Sequence, residues 1–247
     1  MGQEEWLFIG PGEGSRQSEV FSLPLGNTTC DLAIDPLPEL MNHEGAYGAL
    51  LDGLVTVCNA ASNYQQDKTT HCFSLDPVLG TWFESIEPLP YQAFAAAAIS
   101  LPNGDMMIMG GGDEDGVHAH TSIYSLETKT WTEGPEMPGP RYGFCVVPLN
   151  STHTLVTGGE NDQPPPNWGV EESFIFDGAA FHPISSPRYL RTGSGCALLA
   201  SGKSVMVAGG FGPGGTDPDG IALDSVEIYD VASNSWSLGE NDFLINE

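Results

Sequence analysis

Positive charge is what this chain has least of. Seven Lys and Arg stand against 33 Asp and Glu, giving a formal net charge of −26 at neutral pH and an isoelectric point near 4.1. That balance argues against a nucleic-acid ligand, whose phosphates must be neutralised by several Lys or Arg, and against an anionic membrane surface. It leaves a cationic partner, bound calcium, or plain solubility in a salty medium, and net charge speaks first to colloidal behaviour. Long apolar runs are also lacking. The longest, Ala93 to Ile99, is far too short for a bilayer, so no membrane insertion is expected. No secretory leader is legible either, because Met1 to Glu5 is polar and only Trp6 to Ile9 is apolar before Gly10-Pro11.

Cysteine is sparse, and its count of five is odd, so at least one thiol is unpaired within the chain. Cys58 closes one apolar run and Cys72 opens the next, which sets them across the mouth of a hairpin at disulfide range. Cys145 and Cys196 occupy what look like matching places in successive repeats and read as small buried hydrophobes.

Glycine and proline, by contrast, are plentiful. The 31 Gly and 19 Pro suit many short strands joined by tight turns, and 40% hydrophobic residues suffice for a core. Met106 to Trp131 shows the unit. Met107-Ile108-Met109 is a short apolar run stopped by Gly110, Gly111 and Gly112, which fits a strand buried on both faces. An acidic loop follows, then the alternating strand around Ile123, Tyr124 and Leu126, then Trp131 as anchor of a last short strand.

One such sheet cannot bury its own faces, and copies supply the neighbours. Thr154 to Gly159 leads to Ser173–Asp177 and Phe181, and Ser204 to Gly210 leads to Ser225–Asp230 and Trp236. Upstream, Leu54 to Cys58 leads to Cys72–Leu75 and Trp82 without the glycine pair. Trp6 to Gly10 leads to Glu19–Leu23, with Cys30 in place of the aromatic. The anchors Trp82, Trp131, Phe181 and Trp236 are spaced by 49, 50 and 55 residues. A period near fifty built of glycine pair, aromatic strand and tryptophan resembles the kelch repeat of β-propellers.

The resemblance covers nearly the whole chain and implies one all-β, kelch-type β-propeller domain over residues 1–247. Its blades fall roughly at 1–40, 41–90, 91–138, 139–187 and 188–240, about five of them, each four-stranded. Residues 241–247 would close the ring by pairing into the first blade, removing two open edges. Proline-rich links such as Glu87-Pro88-Leu89-Pro90 and Pro135 to Pro140 carry the chain from the outer strand of one blade to the inner strand of the next. These links and the loops after each second strand would share one face.

The chemistry-bearing residues gather in those loops. Gly111 to His120 places Asp113, Glu114, Asp115, His118 and His120 within eight residues, types that suit a divalent metal at a spacing that matches no strong metal motif. Asp113, His118 and His120 are the metal candidates there. Asp217, Asp219 and Asp224 offer oxygens to calcium or simply form turns, and no other cofactor is implied. Glu160 and Asp162 precede the rigid Pro164-Pro165-Pro166 run and Trp168, which either presents an interface anchor or folds back over the blade. No hydrolase motif competes, since Gly193-Ser194-Gly195 lacks the nucleophile-elbow pattern.

The sequence therefore reads as a non-enzymatic scaffold that recognises a protein partner, a basic one by charge, through the loops of one face. The contact candidates are Asp113, Glu114, Asp115, His118, His120, Glu160, Asp162, Trp168, Phe211, Asp217 and Asp219. The alternatives are a metal-dependent enzyme at Asp113, Glu114, His118 and His120, and an extracellular structural or glycan-binding module stacking sugars on Trp168 and Phe211. Sequons at Asn27 and Asn150, with the cysteine pair, favour a secreted or secretory-pathway glycoprotein over the cytoplasm. Intact mass of protein from its native source tests this: glycan on Asn27 or Asn150 and a two-proton shift on reduction are expected, whereas an unmodified mass with five free thiols contradicts it.

Overall fold

The structure, a computed structural model, describes residues 4–9, 18–23, 35, 38, 46–60, 69–76, 78–164, 167–214 and 217–239. Regular structure among them is entirely β. The N-terminal strands β1 (Glu4–Ile9) and β2 (Ser18–Leu23) form an antiparallel pair. Four antiparallel sheets of four strands follow, each meandering in chain order. The second blade contains β3 (Tyr47–Leu51), β4 (Leu54–Ala60), β5 (Thr70–Asp76) and β6 (Thr81–Glu84). The third contains β7 (Ala97–Ser100) and β8 (Met106–Met109), a small loop hairpin of β9 (Gly112–Asp113) and β10 (Gly116–Val117), then β11 (Thr121–Ser125) and β12 (Thr130–Glu133). The fourth is β13 (Cys145–Pro148), β14 (Thr154–Thr157), β15 (Ser173–Phe176) and β16 (Phe181–Ile184). In the fifth, β17 (Gly195–Leu198) and β18 (Ser204–Ala208) precede a loop hairpin, β19 (Phe211–Gly214) with β20 (Asp217–Ala222), and β21 (Val226–Asp230) and β22 (Ser235–Leu238) complete the sheet.

The described residues thus hold four complete propeller blades and one two-stranded hairpin, where five four-stranded blades are expected from sequence. The remaining strands expected of the first copy fall on positions that lie outside the described residues. The proposed closing strand at 241–247 lies outside the described residues.

The core sits between blades. Along each first strand, successive side chains point to opposite neighbours, as the period of two requires. Ala96 and Ala98 pack toward Cys58 and Cys72 of the second blade, while Ile99 and Leu101 join Phe144 and Val146 of the fourth. Val147 and Leu149 in turn meet Cys196 and Leu198 of the fifth. Met106 to Met109 are at most 1% exposed, with partners on both sides, and each such burial stabilises by roughly 1.5–3 kcal/mol. First strands β3, β7, β13 and β17 are neighbours in that order and surround a cavity of about 360 Å³ lined by Ala95 to Ala98, Gly143, Gly193 and Cys196 among others.

The glycine pairs are what let the blades dock. Gly110 and Gly111 have φ of 61° and 87°, Gly158 and Gly159 72° and 93°. A Cβ on Gly110 would lie 2.5 Å from the Arg141 carbonyl oxygen, and one on Gly158 2.6 Å from that of Arg191. The second glycine of each pair donates its N–H to the same carbonyl: Gly111 to Arg141 at 2.9 Å and Gly159 to Arg191 at 2.8 Å. Each pair therefore bonds its blade to the link that opens the next.

Those arginines are almost fully buried, at 1% exposure. Arg141 Nη1 donates to the carbonyls of Gly158 and Glu172, tying both ends of the loop in its own blade. Arg191 does the same to Gly209 and Ser225, and its Nη2 pairs with the equally buried Glu227 at 2.8 Å. Glu227 also accepts the backbone N–H groups of Arg188 and Tyr189, so its charge is well solvated by donors. Burial pulls the Arg141 guanidinium down to about 10, with Glu172 opposing the shift.

The tryptophans have an equally specific task. Trp82, Trp131 and Trp236 each donate the indole N–H to a link carbonyl of the preceding blade, Asp35, Glu87 and Ser185, at 2.9, 2.8 and 2.8 Å. Their rings pack on the third strand, Trp131 against Tyr124 and Trp236 against Tyr229, with Phe181 on Phe176 in the blade that lacks a tryptophan.

Two disulfides are present among the described residues. Cys58 and Cys72 face each other across β4 and β5 and are bonded, closing a separation of 14 residues, a loop length for which about 3 kcal/mol is typical. Cys145 and Cys196 are bonded too, which corrects their reading as free buried hydrophobes. Cys145 is the first residue of β13 and Cys196 the second of β17. That offset of one turns the two side chains to facing sides of adjacent blades, where matched positions would have turned both the same way.

Around the cavity mouth, Gly143 donates to the Ala95 carbonyl at 2.9 Å and Gly193 to that of Gly143 at 2.8 Å. Gly143 and Gly193 are left-handed, with φ of 63° and 61°, and Ala95 holds the same conformation at 50° with a Cβ. A left-handed alanine costs roughly 1–2 kcal/mol, against roughly 0.5–1 kcal/mol of extra backbone entropy for glycine. Ala95→Gly is therefore expected to raise stability by about 0.5–1 kcal/mol in denaturant unfolding; a loss of stability contradicts the equivalence of these three positions.

Candidate functional site

The links and the loops after each second strand share one face, as their mutual hydrogen bonds require. Met137 N–H donates to Ala119 O, Arg141 N–H to His118 O and Gly134 N–H to Thr121 O. The acidic loop of the third blade is built on the β9–β10 hairpin. Asp113 Oδ1 accepts the Asp115 N–H at 2.8 Å, the short-range turn an aspartate favours. Its Oδ2 lies 3.0 Å from His118 Nε2, off hydrogen-bond geometry. The rings of His118 and His120 stack at 5.6 Å with Tyr91 edge-on to both. Among the described residues no three His, Cys, Asp or Glu side chains gather to hold a metal. Glu114, Asp115 and His120 point to solvent.

The fourth blade's loop is held from both sides. Asp162 Oδ2 accepts the Val117 N–H of the third blade's hairpin at 2.8 Å. Trp168 is 4% exposed and packs on Gly220 of the fifth blade's hairpin, where an added Cβ would come within 2.8 Å of the indole. Of the two sequence readings of Trp168, folding back is therefore the one found, and the residue leaves the set of exposed contacts. Gly169 allows this approach by leaving space against Leu190 and Pro213. Loops of three successive blades thus form one connected surface.

Nearer the axis, Glu160 pairs its backbone with Tyr142, and Phe211 pairs with Thr192 in the same way one blade on. Thr192 Oγ1 donates to Glu160 Oε1 at 3.4 Å, and the Tyr142 hydroxyl is bonded to the same carboxylate. Burial raises the Tyr142 hydroxyl to about 12, and the charges of Glu160 and Asp162 push the same way. Phe211 is 50% and Ile221 51% exposed on the fifth blade's hairpin. Asp217 and Asp219 belong to β20, and their side chains lie outside the described residues.

Sequence reasoning passed over Arg141, Tyr142, Arg191 and Thr192. A signal was available: two of the seven basic residues stand 50 apart, each just ahead of an inner strand, in Pro140-Arg141-Tyr142 and Leu190-Arg191-Thr192. Spacing in register with the repeat marks a structural charge rather than a solvated one. Trp168→Ala is expected to cost about 3–5 kcal/mol in denaturant unfolding, as for other buried tryptophans. Trp168→Phe should cost far less, because the indole N–H meets no acceptor among the described residues; unchanged stability in Trp168→Ala contradicts the buried placement.

Comparison with known proteins agrees with this architecture. The kelch motif matches residues 93–138 and 192–241, the third and fifth blades. An F-box/kelch-repeat protein of Arabidopsis thaliana is 27% identical over 67% of this chain and 46% of its own length. Human Kelch-like protein 23 is 24% identical over 66% of this chain and 28% of its own, and the Kelch-like protein terF of Aspergillus terreus 23% over 81% and 45%. The chain spans less than half the length of each of these relatives. Repeat, blade geometry and relatives agree: the chain is a kelch-type β-propeller that carries the kelch motif in two blades and is similar to the kelch-repeat proteins.

Proposed function

We propose that this protein is a non-enzymatic binding module that recognises a basic protein partner on the loop face. The observation that carries this reading is the coupling of three loops into one surface by the Asp162 to Val117 hydrogen bond and the Trp168 to Gly220 packing. A surface fixed before the partner arrives loses little entropy on binding, which is how a rigid scaffold gains affinity. Its exposed side chains include Glu114, Asp115, Asp162, Glu171, Glu172 and Asp224, with Phe211 and Ile221 as apolar contacts. Acid around exposed apolar groups suits a basic segment carrying its own apolar residues. Kelch-repeat relatives support a protein partner.

The metal-enzyme alternative draws no support from the stacked His118 and His120, and the glycan alternative loses Trp168 as a stacking platform. On compartment the observations divide. Two disulfides and an exposed Asn150 on the opposite face fit an oxidising setting, while the F-box and Kelch-like relatives fit the cytoplasm. Asn27 lies outside the described residues. With both bonds intact, reduction adds four hydrogens rather than two.

A photo-crosslinking amino acid in place of His120, on the loop face, is expected to capture basic proteins. The same group in place of Ser151, on the β13–β14 turn of the other face, is expected to capture none of them. Equal capture from both positions, or capture only from position 151, contradicts the proposal.

A further inference from the structure

The partner's chemistry at one point of this face follows from the residues around the cavity mouth, and this inference rests on the loop-face reading above. Phe211 occupies the position just after a glycine pair, where the third blade has Gly112 and the fourth has Glu160. Gly112 pairs with Phe94, Glu160 with Tyr142 and Phe211 with Thr192. The next residues after those partners, Ala95, Gly143 and Gly193, line the central cavity. Gly112, Glu160 and Phe211 therefore ring the loop-side mouth of that cavity.

At this mouth an exposed aromatic ring and a carboxylate flank one threonine. Thr192 exchanges backbone hydrogen bonds with Phe211 at 2.8 and 2.9 Å and reaches Glu160 with its hydroxyl at 3.4 Å. Glu160 is half-buried and receives only neutral donors, from Thr192 and Tyr142. The neighbouring arginines are engaged elsewhere, Arg141 with the carbonyls of Gly158 and Glu172, Arg191 with Glu227 and Arg188 over the Tyr189 ring. Among the described residues no cation balances Glu160. A phenyl ring left half in water beside an uncompensated, half-buried carboxylate is unfavourable for the free protein and complementary to one kind of side chain.

We propose that this mouth receives an arginine of the partner, its guanidinium lying on the Phe211 ring while its N–H groups donate to Glu160. A guanidinium is planar and weakly hydrated, stacks on aromatic faces and presents a fork of donors to a carboxylate. A lysine ammonium meets the charge of Glu160 but gains less from the ring, because its hydration shell is harder to shed. The net charge of −26 draws any polycation toward the protein, so the site is distinguished by its preference for arginine over lysine at equal charge.

The test is fluorescence anisotropy with labelled (Gly-Arg)4 and (Gly-Lys)4 peptides at about 0.15 M salt, where the Debye length of about 8 Å suppresses long-range attraction. The wild-type protein is expected to bind the arginine peptide several-fold tighter. Phe211→Ala should weaken that binding by about five- to tenfold and erase the preference. Glu160→Gln, which keeps the hydrogen bonds but removes the charge, should weaken it by about tenfold. Glu127→Gln, on the exposed β11–β12 turn of the other face, removes one charge as well and should leave both affinities unchanged. Equal affinity for the two peptides, no binding of either, or losses in Phe211→Ala and Glu160→Gln no larger than in Glu127→Gln overturns the inference. If it fails while crosslinks still form from position 120, the loop-face reading stands; if both fail, both are overturned.

Discussion

The backbone hydrogen bond from the second glycine of a pair to the arginine carbonyl that opens the next blade is the contact on which the rest depends. It is made by Gly111 to Arg141 and by Gly159 to Arg191, and it exists only because both glycines of each pair are left-handed and without a Cβ. The arginine side chain then turns back into its own blade and ties both ends of the loop that follows. One short segment thereby sets the distance between blades, the start of each inner strand and the base of each loop. The tryptophan indoles repeat the same logic on the outside, with an N–H from one blade on a carbonyl of the preceding link.

This arrangement also shapes the acidic loops. Asp113 and Asp162, read from sequence as contact or ligand residues, direct their carboxylates to backbone N–H groups of Asp115 and Val117 and so shape the loops. Further acid exposed on this face comes from Asp115, Glu171, Glu172 and Asp224, with Glu160 half-buried at the cavity mouth. The buried arginines matter here as well. With Arg141 and Arg191 held inside, few basic groups among the described residues remain to offset the acid on this face.

The repeat was legible because its period recurs in full: glycine pair, aromatic strand and anchor return in the third and fifth blades, the two regions that the kelch motif matches. Strand positions followed from it directly. Three features were not legible for physical reasons. The Cys145–Cys196 bond depends on an offset of one residue between strands, which alignment by repeat smooths away. The burial of Trp168 depends on Gly220, 52 residues later and in another blade, which local pattern does not reveal. The cluster of Asp113, His118 and His120 has metal-binding residue types, but ring stacking and turn hydrogen bonds decide where they point. The mouth site of Phe211 and Glu160 was half visible: both residues were candidates, but only the ring of blades brings them to either side of Thr192.

The central claim is that bonds between blades hold the loop face rigid before any partner binds. Amide hydrogen exchange on the free protein tests it most directly, at Gly111, Gly159 and Val117, whose N–H groups point to Arg141 O, Arg191 O and Asp162 Oδ2. The account predicts that Gly111 and Gly159 exchange as slowly as the amides of β8 and β14, with Val117 protected well above the exposed turn at Glu127 to Lys129. Exchange of all three at the rate of that turn would contradict it, and would mean that the loops take their shape only from the partner.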